Sequence, residues 1–292
     1  MSKITVDARA CIQCGACVRV CAIASVFEIR DSASIAVRPE RCWGCGQCVS
    51  VCPVDAIDHD AFPLEKCPLV DNGHRPTAEQ LAILMRTRRS ARTFAERPVP
   101  RDIVRELVSV SRWGPSAQNS QDVDWVAIDD RARIAEMSKA TVDEIRRFSR
   151  LMRHPVLRGV LRLFLGRELT KSARSNPRAG EELLDRWTEG LDPIFYNAPV
   201  VLVGHTRSRR AFARDDAIYA TYNLMLAAER QGLSTCQIGI FQMTAEHSSK
   251  VRRMLGLSEG RTAQVTLVLG YPLHPFRRLV PRRLPELVWN PR

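Results

Sequence analysis

Cys11-Ile12-Gln13-Cys14-Gly15-Ala16-Cys17-Val18-Arg19-Val20-Cys21 is answered, 31 positions later, by Cys42-Trp43-Gly44-Cys45-Gly46-Gln47-Cys48-Val49-Ser50-Val51-Cys52-Pro53. Each cysteine of the second run has its counterpart in the first, so the segment is an internal duplication. A thiolate is a soft, negatively charged ligand. Four of them at this spacing wrap one iron-sulfur cube, with the fourth cysteine of each run reaching the other cube. The spacing predicts two [4Fe-4S] clusters and single-electron transfer. Disulfides and zinc are the competing readings. A disulfide framework belongs to small secreted chains, whereas this one has 292 residues and no signal-peptide pattern at Met1-Ser2-Lys3-Ile4. Structural zinc takes cysteine pairs rather than triplets followed by a fourth. Cys67 and Cys236 fall outside both runs and read as core or incidental thiols.

With those residues on the page, the segment from 1 to about 66 resembles a bacterial two-cluster ferredoxin. The resemblance implies that Cys11, Cys14, Cys17 and Cys52 hold one cluster, and Cys42, Cys45, Cys48 and Cys21 the other. Cys52 carries the Pro53 of that pattern, whereas Cys21 is followed by Ala22.

The remaining length is enough for one full-sized domain with its own core. The longest apolar stretches, such as 160–165, are broken by arginine, and none approaches the length of a membrane span. A reducing cytoplasm is the expected location. The net charge is +12, yet residues 1–66 hold seven Lys and Arg against eight Asp and Glu, so the basic character belongs wholly to the rest. Nucleic acid is not an expected partner, because zinc-finger spacing, an aromatic-rich RNA-binding motif and a lysine-rich tail are all missing.

Residues 62–76 contain three prolines and a glycine with little periodicity, which reads as a linker. Beyond it, Leu81, Leu84 and Met85 follow Thr77 at helical spacing, and Pro100-Arg101-Asp102 opens a second helix with Ile103, Val104, Leu107 and Val110 on one face. Strands are expected at 123–128, 199–204, 234–238 and 263–269, and a long helix over 215–231 closing at Gly232. Helices alternating with strands argue for a sheet layered with helices.

Neither a G-x-G-x-x-G turn nor a G-x-x-x-x-G-K-[ST] loop occurs. Instead the chain carries Arg88-Arg89-Ser90-Ala91-Arg92, then Trp113 to Gln121, then Gly232 to Gly239, then Leu269-Gly270-Tyr271-Pro272 and a basic tail. In this order the set resembles the nitroreductase family of FMN enzymes over residues 78–290. FMN carries a phosphate, a polyhydroxylated chain and a ring that exchanges hydride. Guanidinium groups suit the phosphate because their planar fork makes two charge-assisted hydrogen bonds. The resemblance implies that Arg88, Arg89, Ser90 and Arg92 approach the phosphate, ribityl chain and ring edge, and that Arg282 and Arg283 form a second phosphate-side pair. It also implies that Pro115, Ser116, Ala117 and Asn119 belong to a loop reaching the flavin from a neighbouring protomer, hence a homodimer. Family members continue Asn-x-Gln with Pro and Trp, whereas this chain has Gln121-Asp122-Val123. Ile238 and Gly239 fall where family backbone amides lie near N5; a plain strand end with a turn glycine fits them equally well.

Between Arg146 and Arg178 stand ten Lys and Arg and one acidic residue, interleaved with apolar positions such as Phe148, Leu151 and Val160. Such a basic insert fits an active-site cover, a membrane-surface helix, a docking face for an acidic electron donor, or a solvated face packed on its own core. The expected fold class is therefore α+β. A small ferredoxin-like two-cluster module (1–66) and a linker (67–76) precede a nitroreductase-like mixed sheet layered with helices (77–292), whose basic insert spans about 138–190. The expected activity is an FMN-dependent oxidoreductase fed by a low-potential donor of ferredoxin or flavodoxin type. It would reduce a small acceptor such as a nitro group, a quinone or an activated double bond. The alternative is a non-catalytic electron-transfer or redox-sensing flavoprotein serving a protein partner. The motifs account for cofactor binding and name no catalytic acid; Cys236 and Tyr222 are guesses.

Overall fold

The computed structural model describes residues 3–30, 33–153, 179–207 and 211–290. They fall into two compact units: Met1–Thr77 with Ser116–Gln121, and Ala78–Pro115 with Asp122–Arg292.

In the first unit β1 (Ile4–Val6) and α1 (Ala16–Val20) are followed by β2 (Phe27–Arg30), β3 (Ala33–Ala36), α2 (Gln47–Val51) and β4 (Ile57–His59). The first and last strands pair antiparallel, as do β2 and β3. The duplication is visible in the backbone. Gly15 and Gly46 precede the two helices at φ 68° and 73°, a left-handed conformation that costs glycine nothing. Equivalent cysteines also share their burial: Cys14 and Cys45 are exposed, Cys17 and Cys48 buried. Ile4, Val26, Phe27, Val49 and Ile57 join the two buried cysteines in a small core. Residues 62–76, expected as a linker, contain two short 3-10 turns, Leu64–Lys66 and Asn72–His74, the second capped by the Asp71 carboxylate accepting from Gly73 N at 2.8 Å.

The second unit runs α3 (Ala78–Thr87), α4 (Arg101–Ser111), β5 (Asp124–Ile128), α5 (Arg131–Arg153), α6 (Ala179–Thr188), β6 (Val200–Arg207), α7 (Ala213–Arg230), β7 (Ser234–Gln237), α8 (Gly239–His247), α9 (Ser249–Met254) and β8 (Arg261–Gly270). The four strands form one sheet in the order β5-β6-β8-β7, with every ladder antiparallel. The parallel pairing among the described residues is the bridge between Ser90 and Thr235. Strand β6 reads Val-Val-Leu-Val because both of its faces are covered. Val200 and Leu202 join Leu107, Leu224 and Leu267 in one core, while Val201 and Val203 join Met137, Phe195, Phe241 and Val268 in the other.

Two features fix the ends of the 115–121 loop. Before it, Gly114 lies so close to α7 that an added Cβ would stand 2.7 Å from the Ala220 nitrogen. After it, Asp122 occupies the place where the family pattern has proline, and its carboxylate accepts from Arg261 Nη1 at 3.0 Å and from Arg207 N at 3.0 Å. Arg261 also pairs with Asp124 and donates through Nε to His205 Nδ1 at 3.0 Å. Most of the basic insert, residues 154–178, lies outside the described residues, and its reading as a cover falls there. No helix among the described residues is long and apolar enough to cross a membrane.

Candidate functional site

Two groups of residues, one in each unit, match the chemistry expected from the sequence. In the first unit, burial pushes the Cys48 thiol up to about 11, and the neighbouring Cys42, Cys45 and Cys21 add to the rise through their negative charge. Those neighbours are the three cysteines assigned to the same cluster, including the crossing Cys21 from the first run. A four-thiolate site would need such a grouping. Among the described residues no three His, Cys, Asp or Glu side chains converge on a point suited to one metal ion. A cube asks for something different, since each thiolate takes a separate iron and the four surround a volume. The two runs also differ in the turn that follows their last cysteine. After Cys52, Ala56 N donates to the Cys52 sulfur at 3.2 Å, whereas the equivalent Ser25 N donates to the Cys21 carbonyl at 2.7 Å.

The second group centres on the edge of the sheet in the flavin-type unit. Ser90 bridges Thr235 on β7, and Ala91 N donates to the Thr235 carbonyl at 3.1 Å. This anchoring brings the end of α3 and its arginines to β7. Burial raises the pKa of Cys236, while the charges of Arg92 and Arg88 and a hydrogen bond with Ser90 pull it down, so all three lie around that thiol. Arg88 Nε and Nη1 and Thr235 Oγ1 are buried without a hydrogen-bond partner. A buried guanidinium without acceptors is unfavourable, and native structures rarely keep one unless an anion or other acceptor completes it. Ile238 is buried and its N–H donates to Thr266 O at 2.8 Å, which ends the strand and lets Gly239 open α8. A Cβ placed on Gly239 would meet nothing within 4 Å, so the start of this helix faces open space with its positive dipole end.

The remaining expected residues are distributed as follows. Arg89 Nη1 donates to the Arg86 and Arg88 carbonyls at 3.0 and 3.3 Å, a C-terminal cap on α3. Pro115 belongs to the flavin-type unit, but Ser116, Ala117 and Asn119 group with the first unit, where Asn119 Nδ2 donates to the Gly44 carbonyl at 2.5 Å. Arg282 and Arg283 are exposed on the C-terminal stretch. Thr235 was not among the expected residues. Its hydroxyl is indistinguishable in the sequence from any strand threonine, and only the burial and the Ser90 bridge single it out. A separate cavity of about 280 Å³ lined by Arg131, Ser138, Trp187, Asp192 and Asn197 contains none of these residues.

Comparison with known proteins finds a match for each part of the chain. Residues 85–271 match the nitroreductase family, and residues 4–59 match a 4Fe-4S dicluster domain. The chain belongs to the nitroreductase family. Among its relatives, the chloronitrobenzene nitroreductase of Comamonas testosteroni is 26% identical over 210 residues, covering 67% of this chain and 88% of the relative. The nitrobenzene nitroreductase of Ectopseudomonas oleovorans is 29% identical over 209 residues, with the same coverage of both chains. The FMN-bound nitroreductase structure from Bacteroides fragilis NCTC 9343 aligns with a TM-score of 0.51 at 17% identity, over 71% of this chain and 95% of that one. The protein is thus an oxidoreductase of the nitroreductase family that also carries a 4Fe-4S dicluster domain.

Proposed function

We propose that this nitroreductase passes single electrons from two [4Fe-4S] clusters to FMN and on, as a pair, to a small electrophilic acceptor. One observation carries the reading: a single chain holds both a four-cysteine group around Cys48 and, at the half-buried Arg88, two buried guanidinium nitrogens without a hydrogen-bond partner. When bound, the clusters supply one-electron transfer, and FMN, with one- and two-electron states, converts that input into hydride output. The chain's own residues bind and orient. Cys11, Cys14, Cys17 and Cys52 would hold one cluster and Cys42, Cys45, Cys48 and Cys21 the other. Arg88 and Thr235 would hold the phosphate and hydroxyl side of FMN with Ser90 and Arg92, Arg282 and Arg283 would add phosphate-side charge, and the backbone at Gly239 would face the ring, the Ile238 N–H being taken by Thr266 O. Nitroaromatic acceptors are favoured because two relatives are named for reducing them; quinones and activated double bonds suit the same hydride.

A homodimer belongs to this proposal. Helix α3 buries none of its residues, and Leu81, Ile83 and Met85 are exposed. Leu284, Leu287 and Trp289 on the C-terminal stretch are also exposed, so a single chain leaves apolar surface that a second copy would cover. The electron donor fitting low-potential clusters is a one-electron protein of ferredoxin or flavodoxin type, and a reducing cytoplasm is the compartment that keeps ten cysteines out of disulfides. The test is stopped-flow reoxidation of the anaerobically reduced holoprotein by nitrobenzene and by benzoquinone. Reoxidation of the bound flavin and clusters by both acceptors is expected. A protein that reduces cleanly but stays reduced before every small acceptor overturns the small-acceptor reading in favour of transfer to a protein partner.

A further inference from the structure

The two cysteine runs are duplicates, but the side chains that touch their sulfur atoms are not. Cys17 of the first run has Ser34 Oγ at 3.1 Å, and both residues are buried. Cys42 of the second run has His59 Nε2 at 3.5 Å, and His59 has no exposed surface. Neither contact has a counterpart in the other repeat. The position equivalent to His59 is Glu28, which pairs with Arg30 and Arg38 at 2.7 and 2.6 Å, and the position equivalent to Ser34 is the exposed Glu65.

A fully buried imidazole is unfavourable unless both ring nitrogens are satisfied. His59 is held in place: its ring packs on Phe62 at 4.9 Å between centroids, and Ala61 N donates to Nδ1 at 3.1 Å. The same N–H reaches Asp60 Oδ1 at 2.9 Å, and that oxygen lies 3.2 Å from Nδ1. A metal-bound thiolate is an acceptor only. Nε2 therefore carries a hydrogen toward Cys42, whether Nδ1 accepts from Ala61 or holds a proton toward Asp60. The remaining tautomer would set a lone pair against a thiolate. By the same argument Ser34 donates its hydroxyl hydrogen to Cys17. Gly44 N at 3.3 Å from Cys42 and Ala56 N at 3.2 Å from Cys52 give each proposed cluster one backbone donor as well, so the side chains are what differ.

We propose that His59 and Ser34 are the potential-setting residues of the iron-sulfur module, one for each cluster. The proposal rests on the two-cluster reading given above. A hydrogen bond to a ligand sulfur stabilises the state with more negative charge, so it raises the reduction potential of the cluster that sulfur holds. Burial strengthens the effect by lowering the local dielectric constant. Because the two donors differ in kind, the module holds two unequal potentials in a duplicated scaffold, which gives the electron path a direction.

The test is an EPR-monitored redox titration of the full-length, anaerobically prepared holoprotein. In His59→Leu one of the two waves should move to lower potential while the other stays. The expected shift is about tenfold in the reduced-to-oxidised ratio at fixed potential, which is about 59 mV for a one-electron couple. His59→Gln keeps an N–H donor and should restore part of the shift, and Ser34→Ala should move the other wave alone. Full iron content with unmoved waves in both His59→Leu and Ser34→Ala overturns these roles and leaves the cluster reading intact. Wild-type protein without iron and sulfide overturns both. Should His59→Leu fail to assemble, wild-type protein labelled with ¹⁵N-histidine decides: pulsed EPR of the reduced protein should show nitrogen coupled to one cluster, and its absence refutes the contact.

Discussion

Replacing Arg88 with Met separates two roles that most site mutations confound. In the free chain, Arg88 Nε and Nη1 are buried donors without acceptors, so the side chain is a burden on the apo fold. Met keeps the aliphatic stem and removes the charge. Each unsatisfied buried group costs about 1 to 3 kcal/mol, so the apo variant should be at least as stable as the apo wild type. With FMN the sign reverses. A hydrogen bond to a charged group is worth about 1.5 to 3 kcal/mol, and losing one net bond of this kind weakens FMN binding by roughly 10- to 150-fold. At FMN about 1,000-fold above the wild-type Kd, ligand stabilisation is about 4.1 kcal/mol for the wild type and falls by roughly 1.4 to 3 kcal/mol for the variant. For a domain of this size the rise in Tm on adding FMN is then smaller by roughly 3 to 12 °C in the variant than in the wild type. Flavin-fluorescence titration gives the Kd and thermal unfolding with and without FMN gives the two stabilities. An apo protein clearly destabilised by the change, together with an unaltered Kd, refutes the assignment and makes Arg88 a structural arginine.

Three further outcomes are expected. Cys45→Ser should lower the iron content from about eight to about four per chain, since it removes one ligand from one of two four-iron clusters, and iron and sulfide analysis checks it; complete loss or no loss contradicts the two-cluster division. Gly114→Ala forces a methyl group against the α7 backbone at 2.7 Å from Ala220 N. Backbone cannot rotate away, so the overpacking should cost about 1 to 3 kcal/mol in denaturant unfolding. His205 has its pKa lowered below 6.5, first by burial and then by the Arg261 charge, against the opposing pull of Asp124 and Asp122. A proton then binds the unfolded chain more readily than the folded one, so the contribution is complete above pH 6.5 and is lost as pH falls below it. His205→Gln should flatten the fall in Tm between pH 7 and pH 5, and an unchanged profile contradicts the lowered pKa of His205.

Several parts of this protein are legible in the chain because their signals are local. The cysteine spacing, the prolines and glycine of residues 62–76, Pro100 before α4, and the Val-Val-Leu-Val run of β6 each follow from backbone geometry or from alternation within a few residues. The nitroreductase domain is legible for a different reason: four short motifs keep their order, although each alone is weak. What the sequence could not contain is which distant groups meet. Ser90 and Thr235 are 145 positions apart, and only their bridge brings the end of α3 to β7. Asp122 reads as a departure from a family pattern until Arg261, at the far end of the chain order, supplies its charge. His59 and Ser34 are invisible because a duplication predicts likeness between repeats, whereas these side chains act where the repeats differ. Covalent spacing sets the ligands and the elements; packing in three dimensions decides which polar groups are left to be completed by a cofactor, because burial removes water as the partner every such group would otherwise have.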